Sequence, residues 1–510
     1  MSLYRRLLGY ANRQPEKLAI EFEGLSLSYK QLLDRVDQHI VYFNSLKLDP
    51  GNRIAFLALN HPDIFVTVFV AAQTGLILVP LNWRLSIDEL QFVLDDCKPN
   101  LLMHDDEFSN SATELLKRTV GDSSEPMKLH LIGQPDIELA RHINAAPKPV
   151  EQNSTPGETP TLDRPLLIVY TSGTTGRPKG AVLNQKALLC SSAMTQHMLD
   201  LTSNDRVLNV LPLFHVGGLN IQPLPALLFG ATLFLHTRFN PVKTTQTISQ
   251  KKITLLNSVP TVLQAIVNSE AWESADVSTL RAISIGSTDV PVHLINQVQQ
   301  RGVPLIQIYG ATETSPVAIY QRIEHASLVG SIGRAGSHCE VRIADDKNEI
   351  VEFGISGEIQ VKGDNILSHY WNNPEATQSS LVDGWFKTGD VAHQDRDGFY
   401  WFDDRLKHVI ISGGENIYPA ELERVIGVID GVDAISVVGK PDTRWGEVPV
   451  AVVVGTADVD SIKYACTQLA RFKQPKDIIF VDALPRNALG KIQVQRVKEL
   501  VISAYERQQQ

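Results

Sequence analysis

The sequence predicts an α/β fold: a large N-terminal domain of stacked α/β sheets with a small β subdomain, then a smaller α+β domain. Three observations predict it. Strand-like and helix-like segments alternate from Tyr29 to Tyr309, the pattern of largely parallel sheets. Between Gly330 and Gly363 the texture changes to short segments with frequent glycine. Beyond Asp403-Asp404-Arg405 lie about a hundred residues of mixed helix and strand, enough for a separate domain. The expected boundaries are 1–403 and 404–510.

The elements follow in order. Tyr29 to Phe43 carries apolar residues at helical spacing, and Arg53-Ile-Ala-Phe-Leu-Ala-Leu reads as a strand. A helix near Ile64–Ala72 and the strand Leu76–Val79 repeat the unit. Residues Pro147 to Pro165 are rich in Pro, Ser, Thr and Glu and read as a surface linker. Strands are then expected at Leu166–Tyr170, Val207–Leu211, Ala231–Leu235, Ile253–Leu256, Ala282–Ile285 and Pro304–Tyr309. Helices are expected from Gln185, over Thr261–Val267 and over Val292–Gln300. In the last hundred residues, Val409–Ser412, Val448–Val454 and Asp477–Val481 read as strands. Pro419–Ile426, Ser461–Phe472 and a final segment read as helices, with Pro419 suited to a first helical turn.

Composition narrows the class of protein. The chain has 510 residues, 43% of them hydrophobic, with a formal net charge of -10. That charge argues against a general nucleic-acid binder, which needs clustered Lys and Arg. The four cysteines, Cys97, Cys190, Cys339 and Cys466, are scattered, so neither a zinc site nor a disulfide framework is suggested and a reducing cytoplasmic setting fits. No signal peptide is recognisable at Met1–Tyr10, and Pro, Gly and polar residues interrupt the two charge-free stretches, Ile64–Trp83 and Val207–Thr237. No transmembrane segment is expected; peripheral membrane contact stays open.

The chemistry begins at Tyr170-Thr-Ser-Gly-Thr-Thr-Gly-Arg-Pro-Lys-Gly180. A buried strand that opens into Thr, Ser, Gly and one Lys builds a phosphate cradle: glycines admit an anion close to the backbone, and amides, hydroxyls and Lys179 meet its charge. Pro178 before Lys179 and Gly180 after it exclude a Walker A loop. A loose Ser/Thr/Gly surface loop is the plain alternative. Further on, Leu211-Pro-Leu-Phe-His-Val-Gly-Gly218 places His215 in an apolar run, where a histidine is most often a satisfied core residue. Gln307-Ile-Tyr-Gly-Ala-Thr-Glu-Thr314 ends a strand and opens a loop, the usual place for ligands in an α/β sheet. Thr388-Gly-Asp390, Asp404 to Pro419 and Pro485-Arg-Asn-Ala-Leu-Gly-Lys-Ile492 complete the set.

In this order the segments resemble, over nearly the whole chain, the adenylate-forming superfamily of acyl-CoA synthetases, luciferases and adenylation domains. The resemblance implies ATP binding by Thr171, Ser172, Gly173, Thr174, Thr175, Gly176 and Lys179. It implies that Tyr309 stacks on adenine, Thr312 meets the α-phosphate, Asp390 the ribose, and Arg405 the ribose or phosphate. Glu313 with Thr171 would hold Mg²⁺, a hard cation suited to carboxylate and phosphate oxygens. His215, Gly286, Ser287 and Gly310 would border the acyl pocket. Asp404 would be the hinge of a mobile C-terminal domain, Gly413 and Gly414 would meet CoA, and Lys491 would be the catalytic lysine, with Thr312 and Glu313 beside it. Two departures, His408 for an acidic residue and Ile411 for a lysine found in some aryl-CoA ligases, bear on CoA docking.

The reaction so implied is an ATP-dependent acid–CoA ligation through acyl-AMP and pyrophosphate. Gly217 and Gly218 after His215 suggest room for a bulky or elongated tail; a medium- or long-chain fatty acid and a place in lipid metabolism are the first reading, with an aryl or succinylbenzoate-type acid next. A free-standing enzyme loading a carrier protein, a luciferase, and a non-catalytic nucleotide-binding protein are the other readings. The expected partners are a small carboxylic acid, ATP and CoA, with the chain a monomer or homodimer.

Overall fold

A computed structural model describes residues 1–119, 127–133, 161–171, 178–287, 290–412, 415–486 and 492–508. By packing, the described chain forms two compact units, residues 1–341 with 361–386, and residues 342–360 with 387–510. The packing borders therefore precede the expected domain boundary at 403/404.

The first unit holds two twisted sheets. One runs in the order Ser331–Ala335, Ile319–Tyr320, Leu305–Tyr309, Ala282–Ile285, Leu255–Ser258, Arg206–Asn209, Thr232–Leu235, Leu18–Phe22 and Leu25–Ser28. Its six central strands are parallel and its outer pairs antiparallel. The other runs His369–Tyr370, Lys179–Asn184, Pro165–Thr171, Ile77–Pro80, Arg53–Leu57, Leu101–His104 and Lys128–Leu131. The strands predicted from apolar runs form within a residue or two of their expected positions, because strands covered on both faces read as continuous apolar segments.

Helix formation is equally local in origin. Ser28 and Gln31 cap the helix Tyr29–Ser45 reciprocally. The helix Asp63–Thr74 is buried from Asp63 through Ala72, as a helix apolar on all sides must be. One face of the first sheet packs Leu208, Leu256, Ile283, Ile285 and Leu305 against Leu263, Leu294 and Val298 of the covering helices.

The second unit contains residues 342–344, 357–360, 387–394 and 400–405 of the strands Cys339–Ala344, Gly357–Gly363, Trp385–Gln394 and Tyr400–Arg405, which are adjacent in that order. They realise the β subdomain that the glycine-rich texture predicted. A separate five-stranded sheet contains Glu415–Ile417, Ile410–Ser412, Gly446–Gly455, Val432–Asp442 and Asp477–Phe480. Leu422, Ile426 and Ile462 cover one face and Val497 and Val501 the other. The helix expected over Ser461–Phe472 spans Val459–Cys466 instead. Thr467 sends both its backbone N–H (3.0 Å) and its hydroxyl (2.6 Å) to the Tyr464 carbonyl. That three-residue spacing tightens the last turn and diverts the backbone from continuing.

Candidate active site

The hairpin of Pro165–Thr171 and Lys179–Asn184 sets Thr171 opposite Lys179 and Tyr170 opposite Gly180. Ser172, Gly173, Thr174, Thr175 and Gly176 lie outside the described residues. Gly180 is needed for packing: a Cβ there would stand 2.7 Å from Ile168 Cγ2. The next strand, His369–Tyr370, pairs antiparallel with the Lys179 strand and brings Tyr370 beside Ala181. Lys179 Nζ then lies 5.6 Å from the centre of the Tyr370 ring, within cation–π range.

The other half comes from the parallel sheet. The strand Leu305–Tyr309 ends at Gly310, and a single turn, Thr312–Thr314, follows. Ala311 N–H donates to Thr314 Oγ1 at 2.9 Å, and Asn365 Nδ2 donates to the carbonyls of Thr314 (3.3 Å) and Val317 (2.9 Å). Gly310 tolerates no side chain, since a Cβ would fall 1.7 Å from the Pro316 carbonyl oxygen. Leu367 N–H donates to the Glu313 carbonyl at 2.8 Å, and the Tyr370 hydroxyl donates to Glu313 Oε1 at 2.7 Å. Burial, reinforced by the Glu313 carboxylate, raises the Tyr370 hydroxyl well above the ordinary phenol range, so it stays a donor.

The structure thus aligns Lys179, Tyr370 and Glu313. Tyr370 was invisible to sequence reasoning, because only the pairing of remote strands brings it between the other two. Replacing Tyr370 with Phe keeps the ring and loses one charge-assisted hydrogen bond. We expect acid-dependent pyrophosphate exchange to fall about tenfold while stability drops by only about 1–2 kcal/mol. Calorimetry and exchange assays on one preparation check this.

Among the described residues no group of three or more His, Cys, Asp or Glu is arranged to hold a metal. Glu313 supplies one carboxylate already oriented by Tyr370. That fits a magnesium ion shared with nucleotide phosphates, which usually needs only one or two protein carboxylates.

On the acyl side, His215 precedes the short helix Val216–Asn220. Its ring lies 4.5 Å from that of Phe214, which meets Trp83 edge-on at 6.0 Å. His215 Nε2 is buried without a hydrogen-bond partner among the described residues. Burial, with the Arg84 charge adding to it, pushes the imidazole down to about 4, so at neutral pH it is an uncharged wall.

This has a measurable consequence. A histidine whose folded value lies below its unfolded one favours unfolding when it must charge, so stability is complete above about pH 6.5 and declines as pH falls toward 4. By pH 4 the loss from His215 is about 3 kcal/mol. His236, also pushed down to about 4 by burial, adds in the same direction. The His215→Phe variant should therefore show a shallower fall of stability between pH 6.5 and pH 4 than the parent, as measured by denaturant unfolding across that range.

Gly286 and Ser287 directly follow the strand Ala282–Ile285. A Cβ at Gly286 would meet the Ile308 carbonyl oxygen at 2.4 Å, and Ser287 adopts φ +82°. The expectation that Gly217 and Gly218 both leave room holds for one of them. Gly217 has nothing nearer than Ile221 Cδ1 at 3.9 Å, whereas a Cβ on Gly218 would collide with the Pro212 carbonyl oxygen at 2.1 Å. Gly218 serves backbone approach, not pocket volume.

Within the second unit, Asp390 and Arg405 face each other on adjacent antiparallel strands, with Arg405 Nε 3.1 Å from Asp390 Oδ1. Thr388 Oγ1 donates to the Ile359 carbonyl at 2.7 Å and accepts from Asp390 N–H at 3.1 Å. Asp404 is buried and accepts from Arg405 N–H (2.6 Å) and from Ala420 N–H (2.8 Å) in the first turn of the helix Pro419–Ile426. It therefore caps that helix from a distance in sequence. Burial raises its carboxyl, and the two amides partly offset that. His408 Nδ1 lies 3.8 Å from Asp404 Oδ1, and Ile411 is exposed. Gly413, Gly414 and Lys491 lie outside the described residues.

Comparison with known proteins gives a consistent result. Residues 9–371 match the AMP-binding enzyme family and residues 421–491 the AMP-binding enzyme C-terminal domain. An indoleacetate–CoA ligase of Aromatoleum aromaticum is 42% identical over 96% of this chain and 96% of its own length. A long-chain-fatty-acid–CoA ligase of Mycobacterium tuberculosis is 32% identical, covering 91% of each chain. Among solved structures, the o-succinylbenzoate CoA synthetase of Bacillus subtilis, in complex with its acyl-adenylate intermediate, superposes with a TM-score of 0.83 at 29% identity over 98% of both chains.

Proposed function

The chain belongs to the AMP-binding enzyme family, and from that premise we propose that it activates an aromatic carboxylic acid as its acyl-adenylate and transfers the acyl group to CoA. The ligase class rests on family membership and on relatives named as CoA ligases. The choice of acid departs from the fatty acid suggested by sequence reading. Identity is higher to the indoleacetate–CoA ligase than to the fatty-acid ligase. Trp83 and Phe214 beside His215 also favour an aromatic guest.

The observation that carries the adenylation step is the line from Lys179 through Tyr370 to Glu313. It gathers a cation, a fixed hydroxyl donor and a carboxylate at the strand end where Tyr309, Gly310 and Thr312 begin the loop. In the first step the carboxylate oxygen attacks the α-phosphorus of ATP, and pyrophosphate leaves. The chain from Thr171 to Lys179 cradles the phosphates, Thr312 meets the α-phosphate, and Tyr309 stacks on adenine. Asp390 and Arg405 hold the ribose, and Lys491 offsets charge that develops on phosphoryl oxygens. When bound, magnesium supplies further positive charge to those oxygens.

In the second step the CoA thiol attacks the acyl carbonyl and AMP leaves with the bonding electron pair. His215, Gly286, Ser287 and Gly310 border the acid, while Gly413 and Gly414 approach the pantetheine. One centre cannot hold Lys491 and a thiol at the same place, so a pivot at Asp404 is the economical solution.

No helix of the described residues is long and apolar enough to cross a membrane. Acid-dependent AMP release with CoA, across arylacetic, arylacrylic and fatty acids, tests the assignment. Turnover confined to fatty acids would remove the aromatic reading.

A further inference from the structure

We propose that a row of buried amide and hydroxyl side chains, Asn209, Asn257, Ser284 and Gln222, forms a wall of the acyl pocket and accepts a hydrogen bond from a ring N–H or O–H of the acid. This rests on the aromatic-acid reading and narrows it to aromatic acids that carry such a donor.

The row is an anomaly of the sheet. Leu255 and Leu256 lie opposite Val207 and Leu208, so Asn257 follows beside Asn209, and Asn257 lies opposite Ser284. Three polar side chains therefore share one level and one face at the carboxyl ends of adjacent parallel strands. The opposite face carries Leu208, Leu256, Ile283 and Ile285 in the core. Strands covered on both sides are normally apolar on both. Here Asn209 is 1%, Asn257 2%, Ser284 0% and Gln222 1% exposed.

The direction of the hydrogen bonds is determined from one end. Asn257 Nδ2 donates to the Gly217 carbonyl at 3.2 Å, and a carbonyl only accepts. Asn257 Oδ1 therefore faces Ser284, whose hydroxyl donates to it at 2.8 Å. Ser284 Oγ in turn accepts from Gln222 Nε2 at 3.0 Å. The Gln222 amide is thereby oriented, and its Oε1 is left with no partner among the described residues. Asn209 is oriented likewise: its Nδ2 donates to the Leu211 carbonyl at 2.9 Å, and its Oδ1 is unpartnered. Two buried acceptors await a donor, and an unmet buried acceptor is costly.

The place of the row supplies the rest. Ser284 stands two residues before Gly286, and Asn257 holds the backbone of Gly217, two residues after His215. Both segments border the proposed acyl site, at the strand ends where open α/β sheets bind ligands. A hydrocarbon tail would leave both oxygens unsatisfied. An indole N–H or a phenol O–H has a single hydrogen and would satisfy one of them, Gln222 Oε1.

The test uses the full chain and two pairs of acids of matched shape: indole-3-acetic against 1-benzothiophene-3-acetic acid, and 4-hydroxyphenylacetic against 4-methylphenylacetic acid. In at least one pair we expect kcat/KM for CoA-dependent AMP release to favour the donor-bearing acid by roughly 10- to 100-fold or more. The Gln222→Met variant, similar in length but without Oε1, should bring that ratio close to one, chiefly by slowing the donor-bearing acid. A purely structural role would lower both acids alike and leave the ratio unmoved. Equal kcat/KM within both pairs in the unmodified protein overturns the inference, whether or not the variant folds, and so does a ratio that survives Gln222→Met. Turnover of aliphatic acids alone overturns the aromatic-acid reading together with it.

Discussion

Replacing Lys491 with Ala should lower acid-dependent pyrophosphate exchange about a thousandfold and leave conversion of supplied acyl-adenylate and CoA to thioester nearly intact. The two halves of the reaction place opposite demands on one position. Forming the adenylate concentrates negative charge on phosphoryl oxygens, where an ammonium group lowers the barrier. Thiolysis instead needs the thiol at the carbonyl and AMP as the departing group, and that step gains nothing from Lys491. The segment Pro485–Ile492 that bears it lies well along the second unit, after the buried Asp404 that caps the helix Pro419–Ile426. Single-turnover assays of each half-reaction decide the matter. Equal loss in both would contradict the assignment and make Lys491 a structural or CoA-binding residue.

The second large effect is expected at Gly310. An alanine Cβ there would meet the Pro316 carbonyl oxygen at 1.7 Å, its carbonyl carbon at 2.6 Å and Thr314 Oγ1 at 2.8 Å. Two of these are backbone atoms, so the turn Thr312–Thr314 must shift as a body. Thr314 Oγ1 is also the acceptor that holds Ala311 N–H, so the clash loosens the loop from two sides. Stability should drop by about 1–3 kcal/mol, typical of overpacking in a closed site. Misplacing Thr312 and Glu313 by about an ångström should cost about 100-fold in adenylation. Melting temperature and pyrophosphate exchange measured together check this, and near-parental exchange in a folded Gly310→Ala protein would show that the turn does not position the reacting groups. Gly217→Ala is the internal contrast, because a Cβ there meets nothing nearer than Ile221 Cδ1 at 3.9 Å.

The course of the chain was readable wherever an element is continuous and apolar. The strands Leu305–Tyr309 and Ala282–Ile285, and the helix Asp63–Thr74, announce themselves because both of their faces are covered. The helix after Asp458 was overextended, since the Thr467 hydroxyl competes for the Tyr464 carbonyl and periodicity does not register that contest. At the site, Lys179, Gly310 and Glu313 were legible as a strand end opening into polar and glycine residues. Tyr370 was not, because its hydrogen bond to Glu313 spans 57 residues and depends on a two-residue strand pairing with Ala181. The pairing of Arg405 with Asp390 was hidden for the same reason: register between strands decides it. Asn209, Asn257 and Ser284 each look unremarkable in sequence, and only their alignment across three strands exposes them as a group.

The most direct test of the account is exchange of radiolabelled pyrophosphate into ATP, with magnesium and without CoA, as aromatic carboxylic acids are added one at a time. The account predicts exchange that requires an aromatic acid and is lost in Lys491→Ala. No exchange with any carboxylic acid, from folded protein that still binds ATP, would contradict it.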